Sequence, residues 1–153
     1  MLSMMINFAN LLLAALTVGA MFGAWLVFNP AGLRSNAYIT LQQRGIKTLN
    51  RPMPAIGGAT ALLTVASAVL ARDHMRQALL IVAVVCFLAA GLITRFLNQP
   101  INAIVMTWNT DSPPANWTEM RDRWWRWHVL RLIAGLGGLS LLIAATLSRE
   151  WQR

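Results

Sequence analysis

The chain has 153 residues, of which 57% are hydrophobic and only 12% charged, and its formal net charge is +8. So few charged side chains cannot cover the surface of an ordinary soluble domain, and the composition favours an integral membrane protein. A positive net charge can indicate nucleic-acid binding, but here the basic residues are scattered among predicted loops without a recognition motif. We therefore expect no nucleic-acid partner.

Four segments without a charge are long enough to cross a bilayer as helices: residues 8–28, 53–71, 77–94 and 132–148. A hydrocarbon core of about 30 Å needs roughly 17 to 25 apolar residues in a helix. The first segment could be a cleaved secretory signal, but no Lys or Arg precedes it and its apolar run is too long, so a retained helix is favoured. We predict a single domain over residues 1–153, with spans at about 8–28, 53–71, 77–97 and 128–148.

The connections between these spans differ in character. Residues 29–52 are long enough for a short interfacial helix, and four side chains recur there at helical spacing: Tyr38, Leu41, Ile46 and Leu49. Residues 72–76 allow only a turn, so the second and third spans should be antiparallel neighbours. In the last span, Ala134 and Gly138 have the spacing that lets membrane helices pack closely. The predicted fold class is all-α, a membrane-embedded four-helix bundle with short interfacial helices in the first and third connections.

The distribution of basic residues predicts the orientation of the bundle. Residues 29–52 and 95–127 carry eight: Arg34, Arg44, Lys47, Arg51, Arg95, Arg121, Arg123 and Arg126. The opposite side carries four: Arg72, Arg76, Arg149 and Arg153. Because cytoplasmic loops are enriched in Lys and Arg, we predict that loops 29–52 and 98–127 are cytoplasmic and that both termini lie outside, in a bacterial inner membrane.

The third connection has the most unusual sequence in the chain. It begins with NQPIN at residues 98–102 and ends with WTEMRDRWWRWHVLR at residues 117–131. Asn116 and Thr118 are N-cap candidates for an Arg- and Trp-rich helix that runs directly into the fourth span. Tryptophan and arginine are common at the headgroup level of a bilayer, so one interpretation of this segment is an interfacial belt.

A second interpretation is a polar site, because several functional side chains share one side of that helix. Trp124, His128 and Arg131 follow one another at intervals of four and three residues, and Trp127 is four residues before Arg131. An arginine in lipid costs a few kcal/mol, so Arg131 should face the interior of the bundle or a wet cavity.

Asn98 and Asn102 lie at the same membrane side, where the third span ends. Pro100 between them has no N–H and frees a backbone carbonyl, and the two amides offer donors and acceptors. We expect Arg131 to find an acceptor among these groups, which would line a polar pocket at one mouth of the bundle. The simpler alternative is that Asn98 caps a helix and Asn102 belongs to a turn.

The sequence offers little for metal chemistry. His74 and His128 are separated by an 18-residue apolar helix of about 27 Å, so they cannot share a metal or a haem. No carboxylate lies within a predicted span, and the single cysteine, Cys86, excludes an intrachain disulfide and a thiolate cluster. We expect no metal and no cofactor.

Three motifs of this chain resemble those of the anthrone-oxygenase-like family of small four-helix membrane proteins. They are NPAGLRSNAYITLQQ with LNRPMP after the first helix, NQPIN with a later Trp after the third, and WTEMRDRWWRWHVLR before the fourth. Most members are bacterial and have no known function, whereas some fungal members oxidise anthrones during polyketide biosynthesis. Many members have Asn where this chain has His128.

The resemblance implies a cofactor-free oxygenation, in which a substrate with an acidic C–H or phenol group loses a proton and the anion reacts with dioxygen. Such a reaction needs a base, oxyanion donors and an apolar pocket. His128 would be the base, and Arg131, Asn98 and Asn102 would be the donors. The other matching motif residues are expected to bind the substrate: Trp108, Trp124, Trp127, Arg123, Pro30 and Pro100.

A hypothesis from another class is a non-catalytic membrane protein that binds a lipid, a quinone or a partner subunit. In both hypotheses the expected partners are membrane lipid and a small apolar or aromatic molecule, and the sequence leaves a homo-oligomer open. Oxygen consumption with an anthrone or a polyphenol distinguishes the two hypotheses.

Overall fold

The computed structural model describes residues 2–28 and 30–148, without the side chains of residues 2, 3 and 31. The part of the orientation prediction that involves Arg149 and Arg153 lies outside the described residues. All regular structure in the described part is helical, in six helices: α1 Leu2–Val27, α2 Ser35–Leu49, α3 Pro52–Val69, α4 His74–Ile93, α5 Gln99–Val105 and α6 Trp117–Leu147. The prediction of an all-α fold is therefore confirmed.

Four helical stretches are long and apolar enough to span a membrane: Met4–Val27, Pro52–Val69, His74–Val105 and Trp117–Leu147. Their outward faces are apolar as well, since Leu62, Val85 and Ile133 expose 72%, 60% and 60% of their surfaces. A soluble bundle would place polar side chains on those faces. The structure is thus a bundle of four apolar helices, as predicted.

The first connection contains the predicted helix, α2. It follows a 3-10 turn at Pro30–Gly32 and ends just before Pro52, which occupies the first turn of α3, where a missing N–H costs nothing. α2 is amphipathic, and it buries three side chains against the rest of the protein: Tyr38, Ile39 and Gln42.

The third connection differs from the prediction. The third span does not end near residue 97, because a π turn at Thr94–Asn98 joins α4 to α5 and the helix continues to Val105. Pro100 has no N–H, and in a regular helix its ring would clash with the carbonyl of Phe96. The wider turn, in which the Gln99 N–H bonds the Thr94 carbonyl, lets the helix pass the proline.

The short helix of the third connection is therefore an extension of α4 and not a separate element. Residues 106–116 form turns and coil, and α6 begins at Trp117, well before residue 128. The Arg- and Trp-rich segment is the first part of α6, which runs without interruption into the last apolar stretch, as predicted.

Helix α6 packs most extensively against α4 and also contacts α1. The bundle core consists largely of small and aliphatic side chains from α1, α3, α4 and α6, including Ala14, Ala83 and Ala145, all with no exposed surface. Gly138 of α6 lies directly against the ring of Phe87, where an added Cβ would be 2.8 Å from Cε1 and 3.0 Å from Cδ1. The absence of a side chain at Gly138 therefore sets how closely α6 approaches α4.

At the end of the bundle away from α2, buried polar side chains pair across α1 and α3. The amide of Asn10 hydrogen-bonds the hydroxyl of Thr64, and both side chains have no exposed surface. Nearby, the Asn7 amide oxygen accepts from Ser67 at 3.3 Å and from Arg76 Nη2 at 3.2 Å. In an apolar bundle such pairs hold helices together, since each polar group would otherwise be buried without a partner.

We predict that Gly138→Ala lowers the free energy of unfolding by about 1 to 3 kcal/mol, because the new methyl group overlaps the Phe87 ring. Gly137→Ala is the matched control, since a Cβ there would lie an ordinary 3.7 Å from the Cys86 sulfur. Thermal unfolding in detergent measures both variants. Equal melting temperatures for the two would contradict this packing.

Candidate functional site

The polar residues singled out in the sequence lie at the end of the bundle where α2, α5 and the start of α6 meet. The centre of this region is an aromatic and aliphatic cluster built on Ile101, Val105 and Trp124. Other side chains pack around it: Phe28, Ile46, Trp108, Met120, Trp125 and Trp127. Phe28 contacts the Trp124 ring edge-on, with ring centroids 5.8 Å apart.

The side-chain amide of Asn102 connects three helices in this region. Its Oδ1 accepts from the Trp124 indole Nε1 of α6 at 2.8 Å and from Gln42 Nε2 of α2 at 3.4 Å. Its Nδ2 donates to Asn50 Oδ1, at the end of α2, at 3.4 Å. Gln43 adds a further link, since its Nε2 donates to the carbonyls of Val105 and Trp108 at 3.0 and 2.9 Å. Helix α2 is thereby fixed against α5.

Asn98 lies deeper in the bundle, in the π turn, with no exposed surface. Its Nδ2 donates to the carbonyl of Trp124 at 3.1 Å, whereas its Oδ1 accepts no hydrogen bond from any residue that the structure describes. Tyr38 of α2 is also fully buried, and within the same described ranges its hydroxyl has no partner. Burial raises the pKa of the Tyr38 phenol far above its ordinary value, against the opposing charge of Arg121.

His128 is fully buried one helical turn below Trp124. Its ring stacks on those of Trp124 and Trp125, with centroids 5.1 and 5.5 Å apart. Nδ1 is 2.9 Å from Nη2 of Arg131, and Nε2 is 3.2 Å from the Met21 carbonyl of α1. Because a guanidinium only donates, Nδ1 must accept and Nε2–H must donate. The hydrogen bonds thus fit the neutral tautomer that carries its hydrogen on Nε2.

Arg131 faces the interior of the bundle, as expected for a charge in an apolar stretch. Its acceptors, however, are not the predicted amides of Asn98 and Asn102. Arg131 Nε and Nη2 donate to Nδ1 of His128, and Nη1 donates to Thr94 Oγ1 in the π turn at 3.4 Å. The guanidinium also lies 5.9 Å from the centre of the Trp124 ring. The acceptors of this half-buried cation are therefore a histidine on its own helix and a threonine hydroxyl in the π turn.

A groove of about 330 Å³ opens between the end of α2 and the π turn with α5, within the size range of small-molecule sites. One set of lining residues is apolar: Ile46, Pro100, Ala103 and Met106. The other set offers amides and a guanidinium: Asn50, Arg95, Gln99 and Asn102. This arrangement can hold a flat apolar molecule while presenting several donors to its oxygen atoms.

The structure separates the predicted site residues into layers. Asn102 and Pro100 line the groove. Four others lie behind it in the interior of the bundle: Asn98, Trp124, His128 and Arg131. Trp108 and Trp127 pack around the aromatic cluster, Pro30 is buried in the 3-10 turn, and Arg123 is exposed. The indole of Trp124 joins the inner layer to the groove through its hydrogen bond to Asn102.

Sequence reasoning missed three polar residues that line the groove, Arg95, Gln99 and Asn50, and its apolar residues Ile46, Ala103 and Met106. Arg95 entered only the count of basic residues, because the third helix was expected to end close to it. Arg95, Gln99, Asn102 and Met106 follow one another at intervals of three and four residues, so a helix that continues past Pro100 places them on one face. Recognising that the helix continues past Pro100 would have identified this face.

The structural class of this protein is an apolar four-helix bundle with an open groove at one end and a chain of polar side chains in the interior behind it. A family model described as anthrone oxygenase matches residues 43–141. The match covers more than half of the chain and includes the groove, Asn102 and the His128–Arg131 pair. The chain therefore belongs to the anthrone oxygenase family, as its motifs predicted. No curated protein and no solved structure is significantly similar to it.

We predict that Trp124 and Asn102 are energetically coupled by their hydrogen bond. In a double-mutant cycle of Trp124→Phe and Asn102→Ala, the free energies of unfolding should show a coupling of about 0.5 to 1.5 kcal/mol. The matched cycle of Trp127→Phe and Asn102→Ala should show none, because no bond joins Trp127 to Asn102 in the described residues. Equal coupling in both cycles would contradict this geometry.

Proposed function

We propose that this protein is a membrane-embedded, cofactor-independent oxygenase of anthrone-like or polyphenolic substrates. The groove carries the proposal: it lies within the region that matches the family, it has the size of a small-molecule site, and its residue Asn102 bonds the indole of Trp124, which stacks on His128. Apolar walls suit fused aromatic rings, and the amides and guanidinium suit the oxygen atoms of a phenol or ketone.

The four apolar stretches and the apolar outer faces support a location in a bacterial inner membrane. We place α2, α5 and the start of α6 on the cytoplasmic side, because the connections 29–52 and 98–127 carry most of the basic residues. An amphipathic helix such as α2 suits the plane of the membrane surface. The groove would then open near the headgroups, where an apolar substrate with polar oxygens concentrates.

The proposed reaction converts the CH₂ group of an anthrone to a ketone. A base removes one proton from this carbon, and the resulting enolate forms a C–O bond with dioxygen to give a hydroperoxide after protonation. Loss of the second C–H proton then breaks the O–O bond and releases water. The substrate supplies all four electrons that reduce dioxygen, two to the new carbonyl oxygen and two to water, so anthrone and O₂ give quinone and H₂O.

The site residues take distinct roles in this proposal. Asn102 Nδ2 bonds Asn50 with one hydrogen and keeps the other for the enolate oxygen. His128 is buried and does not line the groove, so it can accept the proton only at Nδ1, when Arg131 moves away from that nitrogen and the Trp124 wall opens to the substrate. Movement of the Arg131 guanidinium toward the developing oxyanion would free the imidazole and stabilise the anion in one step. Asn98 holds the backbone of Trp124, and hence the wall between groove and interior.

We predict that His128→Ala lowers the rate of oxygen consumption with an anthrone on the order of 10²-fold or more, because the proton acceptor is lost. Asn102→Ala and Arg131→Met should cost a comparable factor through loss of oxyanion stabilisation. His74→Ala, at the far end of the bundle, should have the activity of the unaltered protein. An oxygen electrode measures all four variants.

His128→Asn separates chemistry from folding, because an amide can hydrogen-bond Arg131 but cannot act as the base. If His128→Asn melts normally and keeps full activity, His128 is not the base. The second candidate function, a membrane protein that binds a quinone or lipid without reaction, is favoured by the fact that both ring nitrogens of His128 already have partners. It predicts stabilisation by such ligands without any oxygen consumption.

The orientation predicts that single cysteines introduced at Gly45 and Ala115, in a Cys86→Ala background, react from the same side of the membrane. Both should be protected from an impermeant thiol reagent in intact cells and labelled in inverted vesicles, because both lie in the cytoplasmic connections. Labelling of the two positions from opposite sides would contradict the four-span arrangement.

A further inference from the structure

We propose that Arg95 recognises a negatively charged oxygen of the ligand, so that the groove selects the ionised form of a phenol or enol over the neutral form. The inference rests on the proposed function for the class of ligand, but it assigns a role that neither the family match nor the sequence motifs give to this residue. Its basis is the composition of the groove and the position of Arg95 in the π turn.

Arg95 is a cation that the protein leaves available to a ligand. It is exposed at the groove, and it forms an ion pair with no carboxylate in residues 2–28 and 30–148. Its guanidinium lies 5.9 Å from the centre of the adjacent Phe96 ring, a contact that leaves its N–H groups free to donate. Arg131, by contrast, uses its donors inside the bundle. The two arginines of this region thus have different surroundings.

The groups beside Arg95 are also donors. The Asn50 oxygen already accepts from Asn102, so its NH₂ group remains for a ligand, and the Gln99 amide makes no hydrogen bond to a described residue. Among the residues that the structure describes, no Asp or Glu lines the groove. A site with a guanidinium and two amide donors, without a carboxylate, favours an anionic oxygen and disfavours a cation.

The remaining walls indicate an aromatic anion in place of a simple phosphate. The groove also has an apolar side, which a free phosphate would not use: Ile46, Pro100, Ala103 and Met106. Met106 is flexible and polarisable, and it suits contact with an aromatic ring. A planar polycyclic phenol that places its ionised oxygen on Arg95 and its rings on these residues uses both sides of the groove.

The test uses a hydroxyanthraquinone, whose visible absorption changes when its phenol ionises, and unsubstituted anthraquinone as the neutral probe. With the purified full chain in lipid nanodiscs, the hydroxyl probe should ionise about one pH unit lower when bound than when free in empty nanodiscs. Arg95→Gln should remove this shift and weaken binding of the ionised probe about tenfold, with no change for anthraquinone. Arg95→Lys should retain part of the shift, and Arg44→Gln, an exposed cation of α2 outside the groove, should retain all of it.

Three outcomes would overturn the inference. The unaltered protein does not bind the hydroxyl probe, or Arg95→Gln binds the ionised probe as tightly as the unaltered protein does. In the third outcome, Arg95→Gln weakens the binding of anionic phospholipid but not that of the hydroxyl probe. Because the measurement needs no turnover, it is independent of the proposed function. Arg95-dependent ionisation without oxygen consumption would refute the oxygenase and keep the anion site. Oxygenase activity together with probe binding that does not depend on Arg95 would refute the anion site and keep the oxygenase.

Discussion

The hydrogen bonds of a single side-chain amide, that of Asn102, link α2, α5 and α6 at the end of the bundle that carries the groove. Without them, α2 would be joined to the other described helices through Gln43 and apolar packing, and the indole N–H of Trp124 would lose its acceptor. A buried donor that loses its acceptor costs about 1 to 3 kcal/mol, so the amide constrains α2, α5 and α6 together. The groove exists because α2 is held at this distance from α5.

The same requirement for polar partners continues into the interior of the bundle. Trp124 stacks on His128, His128 bonds the Met21 carbonyl of α1, and Arg131 reaches from His128 to Thr94 in the π turn. Each group contacts the next, so these side chains form one continuous polar and aromatic chain from the groove to α1 and the π turn. The fold thereby places an imidazole and a guanidinium in the interior behind a partly apolar groove, and the proposed oxygenase reaction would use both.

Much of this could be predicted from residue patterns. The four apolar stretches, the helix in the first connection and the side shared by Trp124, His128 and Arg131 follow from hydropathy and helical spacing. The groove could not be predicted, because a proline such as Pro100 normally ends a helix. In the structure a π turn lets the helix continue past Pro100 and places Arg95 and Gln99 beside Asn102. The bond from Arg131 to Thr94 and the docking of α2 depend on contacts between distant segments, such as Gln42 with Asn102, which no local pattern reports, whereas the bond from Arg131 to His128 joins neighbours on one helix face.

The central claim is that the groove between α2 and α5 is where substrate binds, with the buried pair behind it. An experimental structure of the protein in lipid nanodiscs with a bound hydroxyanthraquinone tests this claim most directly. The account predicts density for the rings against Pro100 and Met106, with oxygen atoms within hydrogen-bonding distance of Asn102 and Arg95. Density for the ligand at the far end of the bundle, beside Asn7 and Arg76, or on the outer faces of the helices would contradict it.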